Sequence, residues 1–165
     1  MTPMIDIQPM QPEQVEEARH VIYATAHQLF DPEKTYEEAC ARYAVNWPLA
    51  DISDYQHKYV ENGGVFLVLC EGDHIIGTGA LKKLEDGVAE VKRLWLLPEY
   101  QGRGLGYRMM NALITEARAR GYTTLRLETS PAYQQRAYSF YRKFGFHDIP
   151  RYGDDPDDVG MEMDI

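Results

Sequence analysis

The chain contains little cysteine and no long hydrophobic run. Its 165 residues include two cysteines, Cys40 and Cys70, which stand far apart and outside any Cys-x-x-Cys motif. Disulfide frameworks and cysteine-based metal sites are therefore poorly supported, and we expect two ordinary core thiols. Residues 1–15 show no basic region followed by an apolar run, so we expect neither a signal peptide nor a membrane anchor, and a cytoplasmic location.

Basic residues are also scarce, with 17 Lys and Arg against 26 Asp and Glu and a formal net charge of −9. General nucleic-acid binding relies on basic surface and is therefore not expected. A cationic partner suits this charge better. Six basic residues are nevertheless predicted to gather around one glycine-rich segment and the helix after it: Lys92, Arg93, Arg103, Arg108, Arg118 and Arg120. A local basic site for a phosphorylated ligand fits both observations.

Motifs for metal or serine chemistry are missing as well. The histidines share no spacing with cysteine or carboxylate, so we expect no metal; they are His20, His27, His57, His74 and His147. Ser130 has no GxSxG elbow, which gives no support to a serine hydrolase. Residues 154–158 form an acidic loop that is interpreted as solvated, with attraction of a cationic acceptor as the alternative.

The length and the apolar periodicity predict one α/β domain over residues 1–165. Helices are predicted at about 15–29, 36–45, 53–60, 104–120 and 133–144, and strands at 5–8, 65–70, 74–84, 88–97, 124–128, 146–149 and 160–164. Residues 89–128 should form a right-handed crossover between parallel strands.

The segment Gln101-Gly102-Arg103-Gly104-Leu105-Gly106 lies between a predicted strand and a predicted helix. Glycines allow the backbone N–H groups to approach an anion closely, and the helix adds its unpaired donors and its positive dipole end. One candidate ligand is a dinucleotide. Its fingerprint is GxGxxG, whereas this segment has GxGxG and is separated from the strand by several residues, so that ligand fits poorly.

These residues resemble the cofactor motif Q/RxxGxG/A of the GNAT family of N-acetyltransferases, through Gln101, Gly104 and Gly106. A second family block is similar to Ala137, Tyr141, Gly145 and Phe146, and the predicted order of elements follows the family along almost the whole chain. The resemblance implies a single-domain GNAT-like acyl-CoA N-acyltransferase fold, with a mixed sheet of about six or seven strands flanked by about four helices. It also implies acetyl-CoA as the acyl donor and no metal.

The resemblance further implies where coenzyme A binds. The pyrophosphate should lie on the backbone N–H groups from Gln101 to Gly106, with Arg103 as an added cation, and the pantetheine should pair with the main chain of one strand. The implied cofactor residues are Leu94, Trp95, Leu96, Gln101, Gly102, Arg103, Gly104, Leu105, Gly106, Gln134, Ala137 and Tyr141. Gln134 departs from the family, which often has Asn there.

Two catalytic residues are implied in the same way. Glu90 lies eleven positions before Gln101, as the base does in the histone-acetylating branch of the family. The alternative for Glu90 is a strand glutamate paired with Lys92 or Arg93, and Glu128 is a weaker substitute base. Tyr141 resembles the general acid, with a core tyrosine as the alternative or companion role. The oxyanion donor is expected to be a backbone N–H near Leu96.

The acceptor is expected to be a small amine such as an amino acid or polyamine, with a protein N-terminus or lysine as the second interpretation. Trp47, Tyr36 and Tyr55 are candidates for an aromatic wall on the acceptor side, or for core residues. A non-catalytic acyl-CoA sensor is the competing class of function. No nucleic-acid or membrane partner is expected, whereas a homodimer through an edge strand at residues 160–164 is possible.

Overall fold

The computed structural model describes residues 3–165, which form a mixed α/β fold around a seven-stranded sheet. The strands follow the order β1-β2-β3-β4-β5-β7-β6, and every neighbouring pair is antiparallel except β4 and β5. They are β1 (Ile5–Pro9), β2 (Val65–Glu71), β3 (His74–Glu85), β4 (Val88–Leu96), β5 (Thr124–Thr129), β6 (His147–Ile149) and β7 (Val159–Asp164).

Five α-helices flank the sheet: α1 (Val15–Phe30), α2 (Tyr36–Asn46), α3 (Ala50–Ser53), α4 (Leu105–Ala119) and α5 (Gln135–Phe144). The start of α2 is set by a capping box in which Thr35 and Glu38 bind each other's backbone N–H groups. The start of α4 is set by Gly104, whose left-handed φ of 78° ends the preceding loop. Within residues 3–165, no helix has both the length and the hydropathy that a membrane crossing requires.

The helices cover the two faces of the sheet in separate cores. Phe66 and Val68 of β2 pack with α1, α2 and α3, whereas Leu67 and Leu69 pack with α4 and its neighbours. Because successive side chains of a strand point to opposite faces, a strand covered on both sides reads as one continuous apolar run. This explains why β2 could be predicted from the sequence.

A bulge in β4 separates its two halves. The pairing of β3 with β4 shifts between Thr78 and Ala80, and opposite this shift Arg93 takes a left-handed φ of 53°. Thr78 donates a hydrogen bond of 2.7 Å to the Arg93 carbonyl. On its other side β4 pairs with β5 only from Val88 to Glu90. Residues 91–96 therefore have an open edge toward β5.

Two predicted elements differ from the structure. The helix predicted at residues 53–60 is instead the end of the short α3 followed by a π-helical segment, Gln56–Val60, because the backbone leaves the α-helical conformation at Asp54, with φ −107° and ψ 33°. The strand predicted at residues 160–164 is not an edge strand, since β7 pairs with β5 on one side and with β6 on the other. The proposed dimer edge was therefore wrong, and β6 lies at that end of the sheet.

Candidate active site

The glycine-rich segment has free backbone donors only after Gln101, whose own N–H, predicted to bind the pyrophosphate, donates to the Pro98 carbonyl at 3.2 Å. Gly102 and Gly104 have left-handed φ values of 81° and 78°, which turn the chain into α4. The first intrahelical bond runs from the Arg108 N–H to the Gly104 carbonyl, at 3.1 Å. The N–H groups of the preceding turn therefore have no acceptor within the helix, and they point outward with the positive end of the helix dipole. This geometry suits an anion.

The cation beside these donors is Arg136 rather than Arg103. The Arg103 guanidinium donates to the Glu99 carbonyl at 3.0 Å and lies 5.1 Å from the centre of the Tyr100 ring. Arg136, in the first turn of α5, places Nη2 3.7 Å from where a Cβ on Gly102 would lie. Arg136 could not be predicted from the sequence, because its helix approaches the glycine-rich segment only in the folded structure.

Other predicted basic residues lie elsewhere. Arg118 and Arg120 are at the far end of α4, and the Arg108 guanidinium donates to the Ile5 carbonyl at 3.1 Å. The Arg93 guanidinium binds Asp51. The predicted gathering around the segment and its helix therefore does not bring all six cations to the segment itself, because the length of α4 carries Arg118 and Arg120 away from it.

A cleft of about 690 Å³ opens between the glycine-rich segment, the open edge of β4 and α5; we call it the loop cleft. It includes every sequence-predicted cofactor residue except Arg103: Leu94, Trp95, Leu96, Gln101, Gly102, Gly104, Leu105, Gly106, Gln134, Ala137 and Tyr141. Thr25 and Gln28 of α1, together with Gly77 and Thr78 of β3, also line it and were not predicted.

The main chain of Leu96 faces this cleft. The Leu97 N–H donates to Ile76 of β3, so the groups of the preceding residue point to the opposite edge. The Leu96 carbonyl accepts from Gln101 Nε2 at 2.9 Å and from Thr25 Oγ1 at 3.3 Å. Gln101 thus ties the end of β4 to the glycine-rich segment, and the Leu96 N–H faces the cleft.

A second cavity of about 530 Å³ adjoins the first and contains four carboxylates; we call it the carboxylate cavity. The carboxylates belong to Glu90, Glu128, Asp155 and Asp158, and the two cations Lys92 and Arg93 line the same cavity. Burial raises the pKa of Asp158, and the charges of Asp155 and Glu128 raise it further. The cavity therefore has an excess of negative charge. It shares Leu94, Trp95, Gln134 and Tyr141 with the loop cleft.

Glu90 is a buried carboxylate of this cavity, with 5% of its surface exposed. Its Oε2 accepts a hydrogen bond of 2.8 Å from the Tyr152 hydroxyl, and its Oε1 lies 3.7 Å from Lys82 Nζ. The prediction that Glu90 pairs with Lys92 or Arg93 was therefore wrong. Lys82 lies on the neighbouring strand β3, so residue spacing along β4 alone does not predict this contact.

Glu128 binds main chain. Its Oε2 accepts from the N–H groups of Tyr152 and Gly153, at 3.1 and 3.0 Å. These residues belong to the segment between β6 and β7, residues 150–158, which we call the strap. A Cβ on Gly153 would lie 2.2 Å from Glu128 Oε1, so a larger residue there would require the Glu128 carboxylate or the strap to move. The carboxylate considered as a substitute base therefore anchors the strap.

Tyr141 lies between the two cavities and contributes to the walls of both. Its ring packs against Phe140 and Phe146, with centroids 5.6 and 5.9 Å apart. Burial raises the pKa of its hydroxyl to about 12. The side chain therefore belongs to the core and also faces the site, as a protonated donor at any ordinary pH.

One of the three predicted wall aromatics lines the carboxylate cavity. Trp47 lies there, within 6.0 Å of Trp95 between ring centroids. Tyr55 is 4% exposed and packs on Phe66, so of its two interpretations the structure fits the core residue. Tyr36 packs against the rings of His20 and His27, away from the cavity. Within residues 3–165 no group of three potential ligands is arranged to hold a metal ion.

Comparison with known proteins gives a consistent result. A model described as the Acetyltransferase (GNAT) family matches residues 27–146. An IAA acetyltransferase of Azospirillum brasilense is 39% identical over 104 residues, which cover 61% of this chain and 67% of that protein. An uncharacterized N-acetyltransferase of Bacillus subtilis is 37% identical over 95 residues, covering 55% of this chain and 63% of its own length. The matches thus span about two thirds or less of these relatives.

Solved structures share the fold. The PaiA N-acetyltransferase of Thermoplasma acidophilum, solved in complex with coenzyme A, has a TM-score of 0.82 at 21% identity, with 98% of this chain and 99% of that chain covered. An acetyltransferase of Streptococcus agalactiae has a TM-score of 0.79 at 20% identity, with 98% of each chain covered. At these identities the likeness establishes the architecture.

Proposed function

Because the chain belongs to the GNAT family of acetyltransferases, and so is an acyltransferase dependent on acetyl-CoA, we propose that it acetylates the amino group of a small cationic molecule. The observation that carries this proposal is the junction of two cavities at Tyr141. One cavity presents anion-binding backbone donors, and the other holds a buried carboxylate. We also propose that the elements of the continuous sheet act as one domain.

The loop cleft suits the donor. Its free N–H groups at the start of α4 match a pyrophosphate, and Arg136 adds a cation beside them. The open edge of β4 offers main-chain groups to the amides of a pantetheine arm, in the manner of an added strand. Because the backbone supplies these contacts, the apolar side chains of Leu94 and Leu96 remain free to pack.

Glu90 and Tyr141 are proposed as base and acid. A lysine-like amine must lose a proton before it attacks, and lowering a pKa of about 10.4 to about 7 corresponds to roughly 4–5 kcal/mol. Glu90 takes that proton while the nitrogen bonds to the acetyl carbon and the carbon–sulfur bond breaks. Tyr141 gives its proton to the departing sulfur, and the Leu96 N–H is the proposed donor to the oxyanion.

The carboxylate cavity supports a small cationic acceptor. Its volume of about 530 Å³ falls within the range typical of small-molecule sites. Its excess of carboxylates attracts an ammonium group, and the rings of Trp47 and Trp95 provide apolar and cation–π contact. A protein terminus or a lysine side chain has the same reacting group, so experiment must compare both.

Calorimetry with acetyl-CoA, followed by a thiol-release assay over a panel of amines, tests the proposal. The panel should contain amino acids, polyamines, amino sugars and lysine-containing peptides. We expect acetyl-CoA to bind and at least one small cationic amine to turn over faster than the peptides. Binding without thiol release from any amine would instead favour an acyl-CoA sensor, and faster turnover of peptides would favour a protein acceptor.

A further inference from the structure

We propose that Tyr152 is a positioning residue for the base: its hydroxyl orients the Glu90 carboxylate and favours the charged form. The inference rests on the proposed function, in which Glu90 accepts the proton of the amine. It assigns to the strap, through Tyr152, a role in the reaction that neither the family motifs nor the spacing along β4 indicates.

The inference rests on the hydrogen bond between Tyr152 and Glu90. The Tyr152 hydroxyl lies 2.8 Å from Glu90 Oε2, and the carboxylate is almost completely buried. An ionised carboxylate only accepts hydrogen bonds, so the phenol must be the donor in this pair. A donor to the charged form of a buried acid favours that form, because it replaces hydration that burial has removed.

The other charged groups around Glu90 come from the strands β3, β4 and β5 and from the strap, whose Asp155 and Asp158 line the same cavity. Lys82 of β3 lies 3.7 Å from Oε1. Arg126 is the register partner of Glu90 on β5, but its guanidinium is bound to Glu162 and Glu85, at 3.0 and 2.9 Å. Lys92 on the same strand and Glu128 on β5 line the same cavity. Lys82 and Tyr152 are therefore the two groups in direct contact with the carboxylate.

The strap holds the phenol in place. Glu128 binds the N–H of Tyr152 itself and that of Gly153, which fixes the main chain on which the ring is carried. Burial and the neighbouring charge of Glu90 raise the pKa of Tyr152, so its hydroxyl stays protonated over the working range. The phenol therefore remains a donor whenever Glu90 is ionised.

Removing this hydroxyl takes away a hydrogen-bond donor to the buried Glu90 carboxylate. In Tyr152→Phe the acidic limb of the profile of kcat/KM against pH should move upward by about one unit, so that activity on the acidic side falls about tenfold while the plateau is retained. The matched control is Tyr138→Phe, which removes a hydroxyl that donates to the exposed Asp148 at 2.6 Å. The control should keep the wild-type limb.

Two further measurements separate positioning from simple loss of structure. Carbon-13 NMR of the glutamate carboxyls, with Glu90 assigned by Glu90→Gln, should show a displaced Glu90 resonance in Tyr152→Phe but not in Tyr138→Phe, without reference to activity. Incorporation of 3-fluorotyrosine at position 152 keeps the ring and makes the hydroxyl a stronger donor, so the limb should move downward. If the Tyr152 hydroxyl had only a structural role, the two changes at position 152 would not shift the acidic limb in opposite directions.

The outcomes separate a failure of the Tyr152 role from a failure of the proposed function, in which Glu90 is the base. If the acidic limb disappears in Glu90→Gln but stays at its wild-type pH in Tyr152→Phe, Tyr152 has no positioning role and the base assignment stands. If Glu90→Gln keeps the wild-type profile, the base assignment fails and the inference fails with it. A limb that moves upward in Tyr152→Phe and downward with fluorotyrosine supports both.

Discussion

The guanidinium of Arg93 donates two hydrogen bonds to the carboxylate of Asp51, at 2.9 and 2.8 Å, and so ties β4 to α3. Arg93 is the bulge residue with a left-handed φ, a conformation that is strained for a side chain of this size. The ion pair and the bond from Thr78 to the Arg93 carbonyl hold the bulge. The bulge in turn directs the open half of β4 toward the loop cleft.

Replacing Asp51 with Asn should destabilise the fold. About one fifth of each side chain of the pair is exposed, so the loss should be below the 3–5 kcal/mol of a fully buried pair, at about 2 kcal/mol. Denaturant unfolding at neutral pH measures it. Glu61→Gln, which removes an exposed partner of His57, is the control and should leave the unfolding free energy unchanged. An equal stability of Asp51→Asn and wild type would show that the ion pair does not hold the bulge.

The same pair predicts how stability depends on pH. Burial alone would raise the pKa of Asp51, but hydrogen bonds from Arg93 and Tyr59 and the charge of Arg93 outweigh burial and lower it. The stabilisation is therefore present above the ordinary carboxyl pKa of about 3.9 and is lost as the pH falls through the lowered value. The difference between wild type and Asp51→Asn should shrink below about pH 4. A difference that stays constant to pH 2 would contradict this assignment.

Arg136→Gln should weaken the binding of coenzyme A. The variant loses a cation beside the free donors of the glycine-rich segment, so we expect a three- to tenfold increase in Kd, about 0.7–1.4 kcal/mol, and a weaker dependence on salt. Calorimetry at two ionic strengths measures both. Arg142→Gln on the same helix is the control, because Arg142 contacts Tyr138 and Asp148 on the other side of α5. Equal effects of the two variants would mean that the Kd depends on the net charge of the protein and not on the position of Arg136.

Tyr141→Phe should lower kcat roughly a hundredfold while leaving the Kd for acetyl-CoA unchanged, because the hydroxyl acts only when the sulfur departs. Tyr122→Phe removes another buried hydroxyl, bonded to the Gly63 carbonyl at 2.7 Å, and is the control for stability. Since burial raises the pKa of Tyr141 to about 12, its ionisation should cause no fall in wild-type kcat below about pH 11. Full turnover by the Tyr141→Phe enzyme would show that Tyr141 is not the general acid.

Gly153→Ala should displace the strap, because a Cβ there would lie 2.2 Å from Glu128 Oε1. Asp155 and Asp158 move with the strap, so the KM for the amine should rise, on the order of tenfold, while the Kd for acetyl-CoA is retained. Steady-state kinetics against both substrates separates these effects, and a thermal melt checks the fold. A variant with the wild-type KM for the amine would show that the strap takes no part in acceptor binding.

Much of the fold could be predicted because it depends on local patterns. The continuous apolar run of β2 follows from its burial on both faces, and the end of the helix pattern at Gly121 follows from the left-handed φ there, which is 88°. The prediction for residues 53–60 was wrong because a few apolar residues in so short a stretch do not distinguish a π-helical segment from an ordinary helix. The position of β7 inside the sheet was also missed, since strand order depends on contacts between segments that are distant along the chain.

The sequence by itself determined the glycine-rich segment at the start of α4, the tyrosine on α5 and the glutamate on β4, because each lies at a fixed spacing within one or two adjacent elements. Only the tertiary structure decided what surrounds them. Arg136 replaces Arg103 beside the segment, and Tyr152 and Lys82 are the partners of Glu90. Glu128 anchors the strap. The physical reason is that a hydrogen bond or an ion pair depends on distances of a few ångströms in space, which packing of remote segments sets and spacing along the chain does not.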